Sequence, residues 1–292
     1  MPELPEVEVT RRKLAPTLVG RTIEQVVTTA PSYFFLTPPR ELARRLRGAT
    51  VAQLDRHGKY LVGILDDGAR LLLHLGMTGQ LFAEGAASVA LLRHTGSGTL
   101  RPKQQRAFTP DAHTHLWLQL RGPGGDVFFR DARKFGKVQW LPRGSACERL
   151  DKLGVDALAA DGEVLFVGSR TRKVPVKGLL LDQKVLAGVG NIYADEALHR
   201  VGISPLRPAQ RLTRRECTAL VEAVQAVMLR SIETGGSSIS DYVQPDGERG
   251  AFQDERRVYG LLGAPCGSCG TAIAKVVIGG RSSHYCPRCQ RR

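Results

Sequence analysis

The chain has 292 residues, with 42 Lys+Arg against 28 Asp+Glu and a formal net charge of +14. That length suits two domains with a small appended module, and 42% hydrophobic residues are enough for ordinary cores. No apolar run approaches the ~20 residues of a membrane-spanning helix, which excludes an integral helical membrane protein, while the basic excess points to a polyanion, either nucleic acid or an acidic surface.

Taken in chain order, the segment beginning Met1-Pro2-Glu3-Leu4-Pro5-Glu6 is acidic where a secretory leader would be basic and then apolar. A cytoplasmic location with reduced thiols is expected, so the six cysteines are read for metal rather than for disulfides. Residues 5–18 read as a helix stopped by Gly20. Residues 51–54, 60–65, 71–75, 115–120, 127–130 and 137–141 are short apolar or alternating runs, separated by turn signals such as Asp67-Gly68. Strands without intervening helices predict an antiparallel sandwich or barrel. Between Glu84 and Asp111 lies a polar stretch carrying Arg93, Arg101, Lys103 and Arg106 and no acid, which reads as a mobile basic loop.

After Pro142 the periodicity becomes helical. Thr213-Arg-Arg-Glu216 is a capping-box pattern, and Cys217, Leu220, Val221, Val224, Val227 and Met228 follow on one face. Cys217 and the isolated Cys147 therefore read as core. Residues 234–250 are rich in Gly, Ser and Asp and read as a long loop. By segment the charge is +9 over residues 1–150, zero over 151–259 and +5 over 260–292.

Cys266-x-x-Cys269 and Cys286-x-x-Cys289, sixteen residues apart, form two thiolate knuckles joined by enough chain for one hairpin. Four thiolates give one zinc ion a closed tetrahedral shell, the structural arrangement; an iron–sulfur cluster or free thiols are the alternatives. So short a segment, poor in large apolar residues, needs the metal to fold. His284 is a competing ligand or a packing or phosphate-contacting group. Arg281 sits between the knuckles, which suits DNA or RNA.

Six blocks then point in one direction. Pro2-Glu-Leu-Pro-Glu-Val-Glu8 with Arg11-Arg12, His57-Gly-Lys-Tyr-Leu61, His74-Leu-Gly-Met-Thr-Gly79, Asp131-Ala-Arg-Lys-Phe-Gly136, Gly188-Val-Gly-Asn-Ile-Tyr-Ala-Asp-Glu196 and the four-cysteine finger resemble bacterial formamidopyrimidine-DNA glycosylases, in family order and over essentially the whole chain. The resemblance implies an α+β multidomain fold: an N-terminal antiparallel β-sandwich with a flanking helix (1–142), a helical helix–two-turn–helix domain with the lesion loop (143–259) and a zinc-finger hairpin (260–292). It implies a bifunctional DNA glycosylase and abasic-site lyase of base excision repair, acting as a monomer on damaged double-stranded DNA. The expected location is the cytoplasm, on the nucleoid, with no membrane partner.

The resemblance makes Pro2, Glu3, Lys59 and Arg281 the catalytic set. Once Met1 is removed, Pro2 exposes a secondary amine; with Met1 retained it is an unreactive amide. An α-amine titrates near ~8 against ~10.4 for lysine, so far more of it is nucleophilic at neutral pH. Glu3 serves proton transfer, with Glu6 supporting it, Lys59 serves elimination, and Arg281 binds the departing phosphate. Met77, Arg133 and Phe135 fill the gap left by the extruded nucleotide. His113, Arg172 and Asn191 contact the DNA backbone, and Lys177, with Lys173, adds phosphate charge. The stretch from Ser231 to Tyr259 resembles the loop that closes over an oxidised purine. Two departures stand out: Lys134 replaces a common Arg, and Thr114 replaces the acid of a His-Asp-His pattern. The rival readings are the sister class acting on oxidised pyrimidines, a catalytically silent relative, and a zinc-ribbon RNA-binding protein that leaves the N-terminal blocks unexplained.

Overall fold

The computed structural model of the chain describes residues 2–94, 100–239 and 242–291, and of residues 88–94 and 100–105 the backbone alone. Met1, and with it the question of its removal, lies outside the described residues. Two compact units emerge: residues 1–147 with 234–253, and residues 148–233 with 254–292.

The first unit opens with α1 (Leu4–Leu18) and then runs through β1 (Ile23–Thr28), α2 (Pro39–Leu46), β2 (Val51–His57), β3 (Tyr60–Leu65), β4 (Arg70–His74) and β5 (Gly79–Ala83). It continues with β6 (Ala87–His94), β7 (Leu100–Ala107), β8 (Thr114–Leu120), β9 (Val127–Asp131) and β10 (Lys137–Leu141). Helix α1 tolerates Pro16 near its end, and Gly20, at φ +79°, turns the chain out of it. The six expected strands appear as β2, β3, β4, β8, β9 and β10. Together with β1 and β5 they build two antiparallel four-stranded sheets, β1-β8-β9-β5 and β10-β4-β3-β2, which is a sandwich rather than a closed barrel. Leu61, Leu71, Leu73, Leu81, Leu116, Leu118 and Phe129 share its core with Leu14 and Leu18 of α1.

Strands β1 and β5 and helix α2 were not expected. The mobile loop expected over residues 84–111 is instead a β6–β7 hairpin, in register from Ala87↔Ala107 to His94↔Leu100. Residues 95–99, which carry Gly96, Ser97 and Gly98, lie outside the described residues.

The second unit contains α3 (Glu148–Asp151), β11 (Val155–Asp156), α4 (Gly162–Arg170), α5 (Val176–Leu180), β12 (Leu186–Ala187), α6 (Asn191–Arg200), α7 (Arg214–Glu233) and the hairpin β13 (Ala274–Ile278)–β14 (Arg281–Tyr285). The Thr213 box caps α7: Glu216 N–H donates to Thr213 Oγ1 (3.2 Å) and Thr213 N–H to Glu216 Oε2 (2.8 Å). Cys217 is fully buried in the expected stripe, and burial pushes its thiol up to about 11; Cys147 is buried as well. Among the described residues no helix is long and apolar enough to cross a membrane.

Helix α1 is fastened to β2 through Glu8. Its carboxylate takes Arg11 (2.9 and 2.8 Å), Arg12 (2.8 Å) and Arg56 (3.2 Å). Burial alone would raise its pKa, but the three guanidinium groups outweigh it and hold the group at about 2. A depressed folded-state pKa adds stability that is complete above about pH 4.5 and disappears as pH falls toward 2. Glu8→Gln should therefore lower stability at pH 7 by about 3 kcal/mol in urea unfolding and flatten the decline between pH 4.5 and 2. An unchanged acid limb would rule this fastening out.

Candidate active site and nucleic-acid interface

The start of α1 is defined by reciprocal capping. Glu3, extended at φ −107° and ψ −173°, accepts the Glu6 N–H, and Glu6 Oε2 accepts the Glu3 N–H at 2.8 Å. Two carboxylates at a helix N-terminus are favoured by the unpaired amides there. Both are buried, and so is Pro2. Glu6 Oε1 also accepts the N–H of Ser237 at 2.9 Å, and Tyr242 Oη donates to the Glu6 carbonyl at 3.1 Å. The 234–253 segment, grouped with the helices from sequence, thus packs in the first unit against the chain's beginning. Its glycines permit this. A Cβ on Gly236, at φ +87°, would lie 3.0 Å from the Tyr242 ring, and one on Gly250 would lie 2.1 Å from the Gly236 carbonyl oxygen.

Lys59 follows Gly58 in the β2–β3 turn and is only 7% exposed, which sets it apart from a solvated surface lysine. Arg56 Nη1 donates to the Gly58 carbonyl at 3.0 Å, bracing that turn.

Met77, Arg133 and Phe135 come together on two neighbouring loops. Gly76 lies so close to the Phe135 backbone that a Cβ there would sit 2.5 Å from its carbonyl carbon. Met77 and Phe135 are 41% and 43% exposed, unusual for large apolar side chains, and the Arg133 guanidinium lies 5.3 Å from the Phe135 ring centre. The organiser is Asp131, fully buried, whose carboxylate accepts Thr78 Oγ1, the Arg133 N–H (3.1 Å) and the Gly136 N–H (2.6 Å). Lys134 takes φ +59°, the only positive value for a non-glycine among the described residues, so the Arg-to-Lys departure falls on a strained turn.

Arg130, 1% exposed, needs a carboxylate and finds it in Asp111, at 3.1 and 3.0 Å. Asp111 in turn accepts the His113 N–H at 3.0 Å, and its own N–H donates to Thr114 Oγ1 at 3.0 Å. Burial would raise the Asp111 pKa, but Arg130 outweighs it and holds it down. His115 is buried, with its ring between Thr29 Oγ1 and the Asp131 carbonyl, and burial lowers its pKa.

In the second unit Asn191 begins α6, and its Nδ2 donates to the Ser282 carbonyl at 3.1 Å, immediately beside exposed Arg281. Arg172 is engaged by Asp182 at 3.0 Å, leaving it partly exposed. Lys177 departs from expectation. It is fully buried, paired with Asp195 at 2.6 Å and bonded to the Ser282 carbonyl at 3.0 Å, so its ammonium faces protein rather than phosphate. Glu196 was also missed. Its carboxylate accepts the N–H groups of Arg257, Val258 and Tyr259 at 2.8–3.0 Å; burial raises its pKa against the opposing pull of those donors.

The four finger cysteines place their sulfurs within 4.8 Å of one another, with pairs at 4.0 and 3.5 Å. Tetrahedral zinc at ~2.3 Å from each sulfur separates sulfurs by ~3.8 Å, so the set fits one structural zinc ion. His199 Nε2 lies 3.4 Å from Cys266 Sγ, a supporting contact to a ligand. His284 is buried, its N–H on Asp195 and its ring edge-on to Tyr259, so its role is packing.

Three family models match: the formamidopyrimidine-DNA glycosylase N-terminal domain over residues 1–138, the H2TH domain of the same glycosylases over 153–243, and the zinc finger found in FPG and IleRS over 263–292. A formamidopyrimidine-DNA glycosylase of Cereibacter sphaeroides is 41% identical over 297 residues, covering all of both chains. Two solved structures are similar over the full length of both chains, each at a TM-score of 0.82. One is a Lactococcus lactis FPG mutant with Fapy-dG-containing DNA, at 31% identity, and the other is MutM with carbocyclic 8-oxo-G-containing DNA, at 30%. With matching models along the chain and a relative of this identity at full coverage, the chain belongs to the formamidopyrimidine-DNA glycosylase family.

Proposed function

We propose that the chain is a bifunctional DNA glycosylase and abasic-site lyase of base excision repair that removes oxidised purines, 8-oxoguanine and formamidopyrimidines, from duplex DNA. The observation that carries this reading is the buried chain start, where reciprocal capping holds Pro2 beside two carboxylates. Relatives named for formamidopyrimidine and neighbours holding Fapy-dG or 8-oxo-G DNA support the substrate class.

In this reading Met1 is removed and the Pro2 nitrogen attacks C1′ of the damaged nucleotide. The C1′–base bond breaks, and the base departs with a proton. The nitrogen lone pair then breaks the C1′–O4′ bond, opening the sugar to an iminium as O4′ takes a proton; loss of the acidified C2′ proton expels the 3′ phosphate, and loss of the C4′ proton expels the 5′ phosphate. Glu3 and Lys59 move protons, both from buried positions where their effect is not diluted by water. Arg281 receives the phosphate of the second elimination. Met77 and Phe135 wedge the stack, and Arg133 meets the orphaned base. His113, Arg172 and Asn191 contact the backbone, Asn191 from a helix N-terminus. The three modules are 1–142, 143–259 and 260–292, with residues 234–253 serving the first, and the protein works as a monomer on the nucleoid.

The test is base release from matched duplexes carrying 8-oxoguanine opposite cytosine or thymine glycol opposite adenine. Release of 8-oxoguanine at least tenfold faster is expected, since a misfitted base leaves site groups unpaired. A reversed preference would assign the chain to the pyrimidine-specific sister class, and no release from either would sink the enzyme reading. Phe135→Ala and Asp131→Ala should slow 8-oxoguanine release by about tenfold or more while slowing cleavage at a preformed abasic site much less, because an intact pair costs more to open. Equal losses on both substrates would rule out the gap-filling role.

A further inference from the structure

We infer that the buried Lys177–Asp195 ion pair is a positioning device for Arg281, holding the finger strand that carries it; this rests on the phosphate-receiving role proposed above.

The β13–β14 hairpin is two-stranded, so among the described residues no strand pairs the second edge of β14. Arg281, Ser283 and Tyr285 share one backbone parity, while Ser282 and His284 share the other and turn their carbonyl and N–H groups to the same side. On that side the Ser282 carbonyl accepts Lys177 Nζ (3.0 Å) and Asn191 Nδ2 (3.1 Å), and the His284 N–H donates to Asp195 Oδ2 (2.8 Å). The ammonium and the carboxylate, 2.6 Å apart and both fully buried, stand where the N–H and C=O of a neighbouring strand would be. The pair reads the edge with matched polarity. It takes an acceptor at 282 and a donor at 284, and a strand displaced by one residue would offer neither.

Zinc alone cannot do this. The knuckle at Cys286 lies five residues from Arg281, about 17 Å of extended chain, and an isolated two-stranded ribbon is only marginally stable. The metal anchors the base of the hairpin; Lys177 and Asp195 anchor the strand next to the arginine. A buried ion pair is often no more stabilising than apolar packing of the same volume, so its return here is geometric.

The experiment compares the full chain with Lys177→Met/Asp195→Leu, Asp195→Asn and Arg281→Ala, each with zinc content, borohydride trapping on an abasic-site duplex, and the ratio of double- to single-elimination product. In the double variant, zinc should stay at one per chain and trapping within about threefold. The double-elimination share should fall about tenfold, as for loss of a charge-assisted contact, and Arg281→Ala added on top should change little further. Asp195→Asn, which keeps an acceptor for His284, should shift the ratio the same way by less. A double variant with an unchanged ratio, beside an Arg281→Ala protein with a reduced one, overturns the inference. Parallel loss of zinc and trapping also overturns it, as a general folding role. An unchanged ratio in Arg281→Ala itself overturns instead the role on which the inference rests.

Discussion

One carboxylate, Glu6, accepts two backbone N–H groups from residues 234 positions apart: Glu3 at the chain start and Ser237 in the long loop. A buried carboxylate without donors is costly, so the two bonds stand or fall together. They set the backbone before α1 and therefore the place of Pro2. The loop can reach Glu6 only because Gly236 and Gly250 carry no Cβ, and Tyr242 closes the same junction through the Glu6 carbonyl.

The same device recurs. Asp131 gathers Thr78, Arg133 and Gly136 under the exposed tips of Met77 and Phe135. Asp111 holds Arg130, Asp195 holds Lys177 and the finger strand, and Glu196 takes three successive N–H groups near Tyr259. In a chain of net charge +14, several acids are used inside to fix loops. The surface offered to a polyanion is correspondingly more basic than the composition suggests.

Much of the fold was legible. Six strands, helices α1 and α7, the Thr213 cap and the four-cysteine knuckles followed from local pattern: apolar alternation or periodicity, cap residues and ligand spacing. What was missed either lacks a clean local pattern or depends on distant partners. Strand β1 is an edge strand with much of its length exposed, so it lacks clean alternation. The β6–β7 hairpin pairs an apolar run, Val89-Ala-Leu-Leu92, with a strand rich in Arg, Lys and Gln that carries no alternation of its own. Lys177 reads as one more phosphate-binding lysine until α6 brings Asp195 against it, and Asp111 gains its role only by pairing with buried Arg130, nineteen residues away. Residues 234–253 follow a helix in sequence yet fold with the first unit, because their partner is Glu6.

The central claim, that Glu6 holds a nucleophilic Pro2 amine, is tested most directly by locating the covalent bond. The protein is reduced with borohydride while bound to an 8-oxoguanine duplex, digested, and mapped by mass spectrometry. The sugar remnant is predicted on the peptide beginning at Pro2, with markedly less adduct from a zinc-replete Glu6→Gln protein. An adduct on Lys59 or any other lysine side chain, or an undiminished yield from Glu6→Gln, would contradict the account.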